Sequence, residues 1–122
     1  MALKRIRLEL ARTPEFPEGS AHHGYEFIAP LREDGHIDAA VWKEVKDRCA
    51  VTRFWAGEVE TGMLRHSSGG WRFDYVPNDD ADDEPFFKLD RHALSEGAYV
   101  SITERDGVQR PFRVVSVFPV AG

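Results

Sequence analysis

Apolar side chains recur at every second position along most of this chain, the spacing of β-strands that keep one face on a hydrophobic core. Ile6, Leu8 and Leu10, for example, alternate with charged residues. The same pattern between turn residues predicts eight short strands, at about Lys4–Ala11, Tyr25–Leu31, Val51–Trp55, Gly62–His66, Trp71–Val76, Phe86–Leu89, Ala98–Thr103 and Val108–Phe118. A mainly β fold follows: a small, partly open antiparallel barrel or sandwich of seven or eight short strands, with an α+β roll as the alternative.

One segment departs from this pattern and predicts a short helix. Trp42, Val45 and Cys49 recur at helical spacing, with charged residues on the other side, over about Ala39–Arg48. Asp38 precedes this segment and is suited to accept a hydrogen bond from a backbone N–H of the first turn. We expect the helix to cover one end of the sheet.

Two turns determine which residues face each other across neighbouring strands. Around residues 67–70, a two-residue loop and a four-residue loop predict the same pairs: Leu64 with Phe73, Arg65 with Arg72, and His66 with Trp71. Near the C-terminus, a three-residue loop with Gly107 in the left-handed region keeps apolar residues on one face. It pairs Val100 with Phe112 and Ala98 with Val114.

The predicted pairing of Arg65 with Arg72 is unfavourable unless an anionic group lies beside the two side chains. Asp74, diagonal to Arg65, is one such group. A bound phosphate or carboxylate is the other, because guanidinium groups bind such anions bidentately. Aromatic residues also alternate with arginines, as in proteins that bind single strands, although aromatic cores produce the same strings. The candidate ligand-binding residues are Arg53, Trp55, Arg65, Trp71 and Arg72.

Histidines form a second group of candidates. The segment 13–24 is rich in proline and glycine and predicts a long loop, in which His22 and His23 could converge. With His66 they make a possible polar site, and His92 is a further possible ligand. Since the sequence has no HExxH or CxxC motif, we expect no metal and no cofactor.

Two side chains are candidate nucleophiles, but neither lies in a recognised catalytic motif. Ser20 lies close in sequence to His22 and His23, and Cys49 lies on the apolar stripe of the predicted helix. Cys49 is most simply a small buried hydrophobic residue. We therefore prefer a non-catalytic interpretation.

Composition sets the remaining limits. The 122 residues fit a single domain spanning 1–122, and the net charge of -5 disfavours binding of nucleic acid through a broadly basic surface. The lone Cys49 excludes an internal disulfide, and the first residues lack a long apolar run. We expect a cytoplasmic protein without a membrane segment. The acidic segment 78–84 resembles a calcium loop only in part, and we expect an ordinary solvated loop there.

Three strings carry a resemblance to known proteins: His23–Phe27, Arg53–Trp55, and Gly97–Ile102 followed by Phe112–Val115. They resemble small bacterial proteins that carry no assigned activity. This resemblance implies a bacterial origin and no particular reaction. The closing segment also resembles the hairpins of SH3-like barrels, which are too common to identify a family.

Three functional hypotheses remain open at this point. The first is a non-catalytic binding or regulatory module for an anionic ligand, either single-stranded nucleic acid or a phosphorylated metabolite. The second is a protein-interaction domain, a monomer that binds another protein or a homodimer formed through a sheet edge or an aromatic patch. The third is a small histidine-dependent hydrolase or metalloenzyme.

Overall fold

The fold is a ring of antiparallel strands with one short helix, seen in a computed structural model that describes residues 3–67, 70–75, 84–87, 93–104 and 107–120. The strands are β1 (Leu3–Leu10), β2 (Ser20–Pro30), β3 (Ala50–Trp55), β4 (Glu58–Ser67), β5 (Gly70–Asp74), β6 (Glu84–Phe87), β7 (Tyr99–Thr103) and β8 (Gln109–Pro119). Each strand pairs with the next, and β8 pairs with β1, so the ladders close into a barrel. The predicted mainly β fold is confirmed, and the barrel is the architecture observed.

Strand β2 begins earlier than predicted, at Ser20, inside the segment expected to be a loop. Glu9 pairs with Gly24, but Leu10 pairs with Ser20, so residues 21–23 bulge out of the β1 ladder. A bulge interrupts the alternation of apolar and polar positions, which explains why the sequence indicates a loop. At Gly24 a Cβ atom would overlap the carbonyl oxygen of Leu8, so only glycine permits this close approach of the two strands.

Both predicted registers are confirmed. The observed pairs include Leu64 with Phe73, Arg65 with Arg72, His66 with Trp71, and Val100 with Phe112. The N–H of Val114 donates to the carbonyl oxygen of Ala98 at 2.8 Å, which continues the second register. Gly107 has a φ of 81°, in the left-handed region, while the two loop residues before it lie outside the described residues.

The predicted helix is also confirmed. It comprises α1 (Ala39–Val45) and a 3-10 turn (Lys46–Arg48), and the Asp38 carboxylate accepts from the N–H of Val41 at 3.1 Å. Trp42 and Val45 form its buried side. Among the described residues, no helix is long and apolar enough to cross a membrane.

Side chains fill the interior of the barrel, as expected for eight strands. The largest fully buried ones are Tyr25, Phe27, Phe73, Phe112, Ile6, Leu8, Leu64, Leu94, Ile102 and Val51. The rings of Tyr25 and Phe73 lie 5.1 Å apart, and Phe112 meets Tyr25 edge-on at 5.2 Å. These aromatic contacts hold β2, β5 and β8 together across the interior.

The two ends of the barrel are closed by different chemistry. At one end, where Leu3 pairs with Pro30, α1 covers the barrel, and the Trp42 indole N–H donates to the carbonyl oxygen of Leu64 at 3.2 Å. At the opposite end His23 pairs with Trp55 on the neighbouring strand. We call this second end the mouth, and charged side chains replace apolar ones there.

Candidate functional site

Three charged side chains lie at the mouth on the inward faces of their strands. Each continues the period-two spacing of buried residues: Arg53 after Val51, Glu104 after Ile102, and Arg110 before Phe112. Period-two spacing places such residues on one face of a strand. These charges therefore point into the barrel, although charged residues usually lie on the outside.

We call Glu104, Arg53, Arg110 and Tyr25 the mouth cluster. Glu104 lies at its centre, and only 3% of the Glu104 surface is exposed. Its carboxylate accepts from the Arg110 guanidinium at 2.9 Å, from the Arg53 guanidinium at 3.1 Å and from the Tyr25 hydroxyl at 2.7 Å. A buried carboxylate is very costly unless charged and hydrogen-bonding partners surround it. These three partners offset the cost of burying the Glu104 carboxylate within the barrel.

Arg53 and Arg110 both bind Glu104, lie against the ring of Trp55 and are partly exposed to solvent. The Arg53 guanidinium lies 4.4 Å from the ring centroid of Trp55, and that of Arg110 lies 5.9 Å from it. Such contacts are attractive cation–π interactions. The side chains are 14% and 17% exposed, respectively, so both reach the surface of the mouth.

Two further carboxylates lie on the outer side of the arginines. Glu60 is 3.8 Å from Arg53 and 37% exposed, and Glu15 is 3.9 Å from Arg110 and 73% exposed. The distance from Glu15 to Arg110 exceeds that of a charge-assisted hydrogen bond, and exposed ion pairs contribute little to stability. The Glu15 carboxylate can therefore exchange for another anion at small cost.

His23 forms an aromatic wall beside the arginines. Its ring lies 4.5 Å from that of Trp55, in an edge-on contact, and 4.6 Å from that of Phe16. Its Nδ1 lies 2.6 Å from the Ser20 hydroxyl oxygen. The wall gives the mouth an apolar side next to its charged side.

Burial lowers the pKa of His23 below its ordinary value. The neighbouring His22 and the positive charge of Arg53 lower the pKa further, while Glu104 opposes them. The imidazole of His23 is therefore neutral at pH 7.

Guanidinium groups beside an apolar wall are chemically suited to hold an organic anion.

Comparisons with protein-family models, curated proteins and solved structures found no match. Among the candidate ligand-binding residues, Arg53 and Trp55 lie together at the mouth, and the candidate histidine His23 lies beside them. Arg65, Trp71 and Arg72 lie elsewhere.

Arg65 and Arg72 lie on the outside of the barrel, because their neighbours Leu64 and Phe73 point inwards. The Arg65 Nε is 3.8 Å from a carboxylate oxygen of Asp74, the internal anion that the sequence suggested. The structure thus places an internal carboxylate beside Arg65, and a ligand at Arg65 and Arg72 stays a prediction.

Trp71 is only 2% exposed and lies at the end covered by α1. Its ring meets that of Trp42 edge-on at 5.6 Å, and His66 lies 4.2 Å from it. Trp71 and His66 thus belong to the packing beneath the helix and lie far from the mouth.

The adjacent histidines do not converge as they could in a loop. Both belong to β2, where His22 is exposed and His23 is buried. Within the described residues, no group of three or more potential metal ligands lies together. His92 and most of the acidic segment 78–84 lie outside the described residues.

Three members of the mouth cluster were missed from the sequence: Tyr25, Glu104 and Arg110. The sequence did carry a signal for two of them, because Glu104 and Arg110 each continue the apolar face of a strand with a charged residue. Glu104 follows β7 and Arg110 lies in β8, which pairs with β7. Tyr25 carried no such signal, because a tyrosine in a core strand is ordinary.

Outside the mouth lies an open groove of about 590 Å³, bounded by residues of β1, β2, β7 and β8 and of the loop between β1 and β2. Its charged residues are Glu9, Glu18, Arg12 and Arg113, two of each sign. The groove thus has no excess positive charge with which to attract an anion.

Proposed function

We propose that this protein is a non-catalytic binding module that takes a small anionic ligand at the mouth of the barrel. One observation carries the proposal: Arg53 and Arg110 both bind the buried carboxylate of Glu104, and both guanidinium groups also reach the surface of the mouth, where the exposed carboxylate of Glu15 lies 3.9 Å from Arg110. Guanidinium groups bind carboxylates and phosphates with directional N–H donors. An incoming anion would replace the exposed carboxylate of Glu15 beside Arg110.

The surface charges favour a small molecule over single-stranded nucleic acid. On the outer face Arg5 and Arg7 each lie within 3.7 Å of Glu26, and Arg7 also donates to Glu9 at 2.8 Å. Nucleic acid needs a row of positive charges to neutralise successive phosphates. The two guanidinium groups of the mouth match one acidic group, as in a carboxylate or a phosphorylated metabolite. The lone cysteine is in keeping with a cytoplasmic location.

A second candidate function is protein interaction through exposed aromatic side chains. Tyr99 is 61% exposed and Phe118 is 59% exposed. Dimerisation through a sheet edge has no support in the described strands, each of which pairs with a neighbour on both sides. We therefore place this function second.

The proposal is tested by titrating the protein with inorganic phosphate and with acetate while following the indole N–H signal of Trp55 by NMR. We expect both anions to shift this signal. Arg53→Lys and Arg110→Lys should each weaken binding about tenfold, because lysine cannot reproduce the planar fork of N–H donors. Arg65→Lys, on the outer face, is the matched control and should bind like the wild type.

Two results would overturn the proposal. The first is a Trp55 signal that neither anion moves. The second is tight binding of a labelled oligonucleotide at low salt that Arg65→Lys weakens and Arg53→Lys leaves unchanged. That result would place nucleic acid on the outer face instead.

A further inference from the structure

The loop before β2 lies over the mouth. The Phe16 N–H donates to both the carbonyl and the hydroxyl oxygen of Thr13 at 3.1 Å, and the Thr13 N–H donates to the carbonyl oxygen of Phe16 at 3.0 Å. The Ala11 N–H donates to the carbonyl oxygen of Pro111 at 3.0 Å, which ties the loop to β8. These hydrogen bonds give the loop a defined shape.

Two consecutive side chains of this loop touch the binding site. The Glu15 carboxylate lies 3.9 Å from the Arg110 guanidinium, and the Phe16 ring lies 4.6 Å from the ring of His23. The loop thus brings one carboxylate and one aromatic ring to the charged side and the apolar side of the mouth.

We propose that the ligand of the mouth is an aromatic monocarboxylate, and that Glu15 and Phe16 occupy its place when it is absent. This inference rests on the proposed function and adds the class of ligand and its competition with the loop. The ligand carboxylate replaces that of Glu15 on Arg110, and its ring replaces or joins Phe16 against His23.

The charges at the mouth favour a single carboxylate over a phosphate dianion. When a monoanion takes the place of Glu15, the total charge beside the arginines stays the same. A dianion adds a negative charge close to the buried Glu104 and to Glu60, which already face Arg53. Repulsion between like charges at a partly buried site is costly.

The apolar wall favours an aromatic body over a short aliphatic acid. His23 and Trp55 present ring surfaces to the mouth, and Phe16 shows that a third ring fits against His23. His23 is neutral at pH 7, so an uncharged ring can cover its imidazole without burying a positive charge. Burial of one ring contributes substantially to affinity.

The test compares phenylacetate, acetate and inorganic phosphate as probes of the wild-type protein and of Glu15→Gln. We expect phenylacetate to bind the wild type at least about fivefold more tightly than acetate, because only phenylacetate buries a ring. Glu15→Gln should bind phenylacetate about two- to fivefold more tightly than the wild type, as expected for the loss of one exposed competing ion pair. Glu18→Gln, on the same loop, is the matched control and should match the wild type.

The outcomes separate this inference from the proposed function. If acetate and phosphate bind through Arg53 and Arg110 but phenylacetate is no tighter than acetate, the aromatic class is wrong and the binding module remains. Phosphate binding more tightly than both carboxylates would likewise reject the monocarboxylate, and an unchanged affinity in Glu15→Gln would reject the competition. If no anion binds either protein, the proposed function fails as well.

Discussion

Tyr25 donates a 2.7 Å hydrogen bond to the buried Glu104 carboxylate, although the two residues lie 79 positions apart in the chain. The contact joins β2 to the residue that follows β7, across the interior of the barrel. It also supplies a neutral donor to a carboxylate that two arginines already hold. The Tyr25 ring therefore packs in the core, while its hydroxyl stabilises the charged cluster at the mouth.

Tyr25→Phe should lower the free energy of unfolding by about 1.5–3 kcal/mol, because a buried carboxylate loses one hydrogen bond. Denaturant unfolding measures the change. Tyr99→Phe is the control, since Tyr99 is exposed, and it should change stability by less than about 0.5 kcal/mol. Equal effects of the two substitutions would contradict the role assigned to the Tyr25 hydroxyl.

Asp74→Asn should destabilise the protein by up to about 1 kcal/mol at low salt, since Arg65 then faces Arg72 without its carboxylate partner. The loss should shrink at high salt, because salt screens the repulsion between partly exposed guanidinium groups. Unfolding curves at two salt concentrations test this. A loss that is independent of salt would show that the interaction is not electrostatic.

His23 should make the folded protein less stable as the pH falls below about 6.5. Its pKa in the folded protein is lowered, mainly by burial, below the ordinary value of 6.5, so the unfolded chain takes up a proton that the folded protein resists. The stabilising contribution is complete above pH 6.5 and is lost as the pH falls towards the lowered pKa. We expect His23→Gln to reduce the loss of stability on acidification, and His22→Gln, at an exposed position, to leave it unchanged. A wild-type pH profile in His23→Gln would refute the assignment.

Cys49 should be unreactive in the folded protein. Burial raises the pKa of its thiol from 9.0 to about 11, so the reactive thiolate is scarce at pH 8–9. Alkylation by iodoacetamide should be slow for the native protein and fast in denaturant. Because the folded pKa is the higher one, the contribution of the thiol to stability is complete below pH 9 and is lost as the pH rises to about 11. Equal alkylation rates in the two states would contradict the burial of this thiol.

Ala56 has a φ of 52° in the turn between β3 and β4, next to Gly57 with a φ of 93°. Two successive left-handed residues are typical of a type I′ hairpin turn, which favours Asn-Gly. Ala56→Asn should raise the free energy of unfolding by about 0.5–1 kcal/mol, because asparagine tolerates this conformation better than alanine. Ala21→Asn, at an exposed alanine in β2, serves as the control, and a similar gain there would point to a different cause.

The sequence was most informative where local pattern alone determines the structure. The pairing of Leu64 with Phe73 was predictable because two loop lengths lead to the same register, and α1 was predictable from its spacing and from Asp38. The start of β2 was not predictable, since the bulge opposite Leu10 breaks the alternation. Closure of the ring between β1 and β8 was equally hidden, because nothing local in either strand specifies so distant a partner.

The site was only half predictable for a related reason. Arg53 and Trp55 stood out as an arginine beside an aromatic residue, but a charge on an apolar face is normally interpreted as a surface residue. Glu104 explains why Arg53 turns inwards, and it becomes the neighbour of Arg53 only through the pairing of distant strands. Counter-ions that stabilise a buried charge are tertiary information, which a sequence pattern does not carry.

The N–H of Val120 donates to the carbonyl oxygen of Leu3 at 2.9 Å, so both extremities of the described chain meet at one point, at the end of the barrel that α1 covers. A fluorophore or an immobilisation linker attached to the chain beside Leu3 or Val120 would therefore lie on the side of the barrel away from Arg53 and Arg110. A sensor surface can therefore carry this protein by the end that α1 covers while the mouth faces the solution.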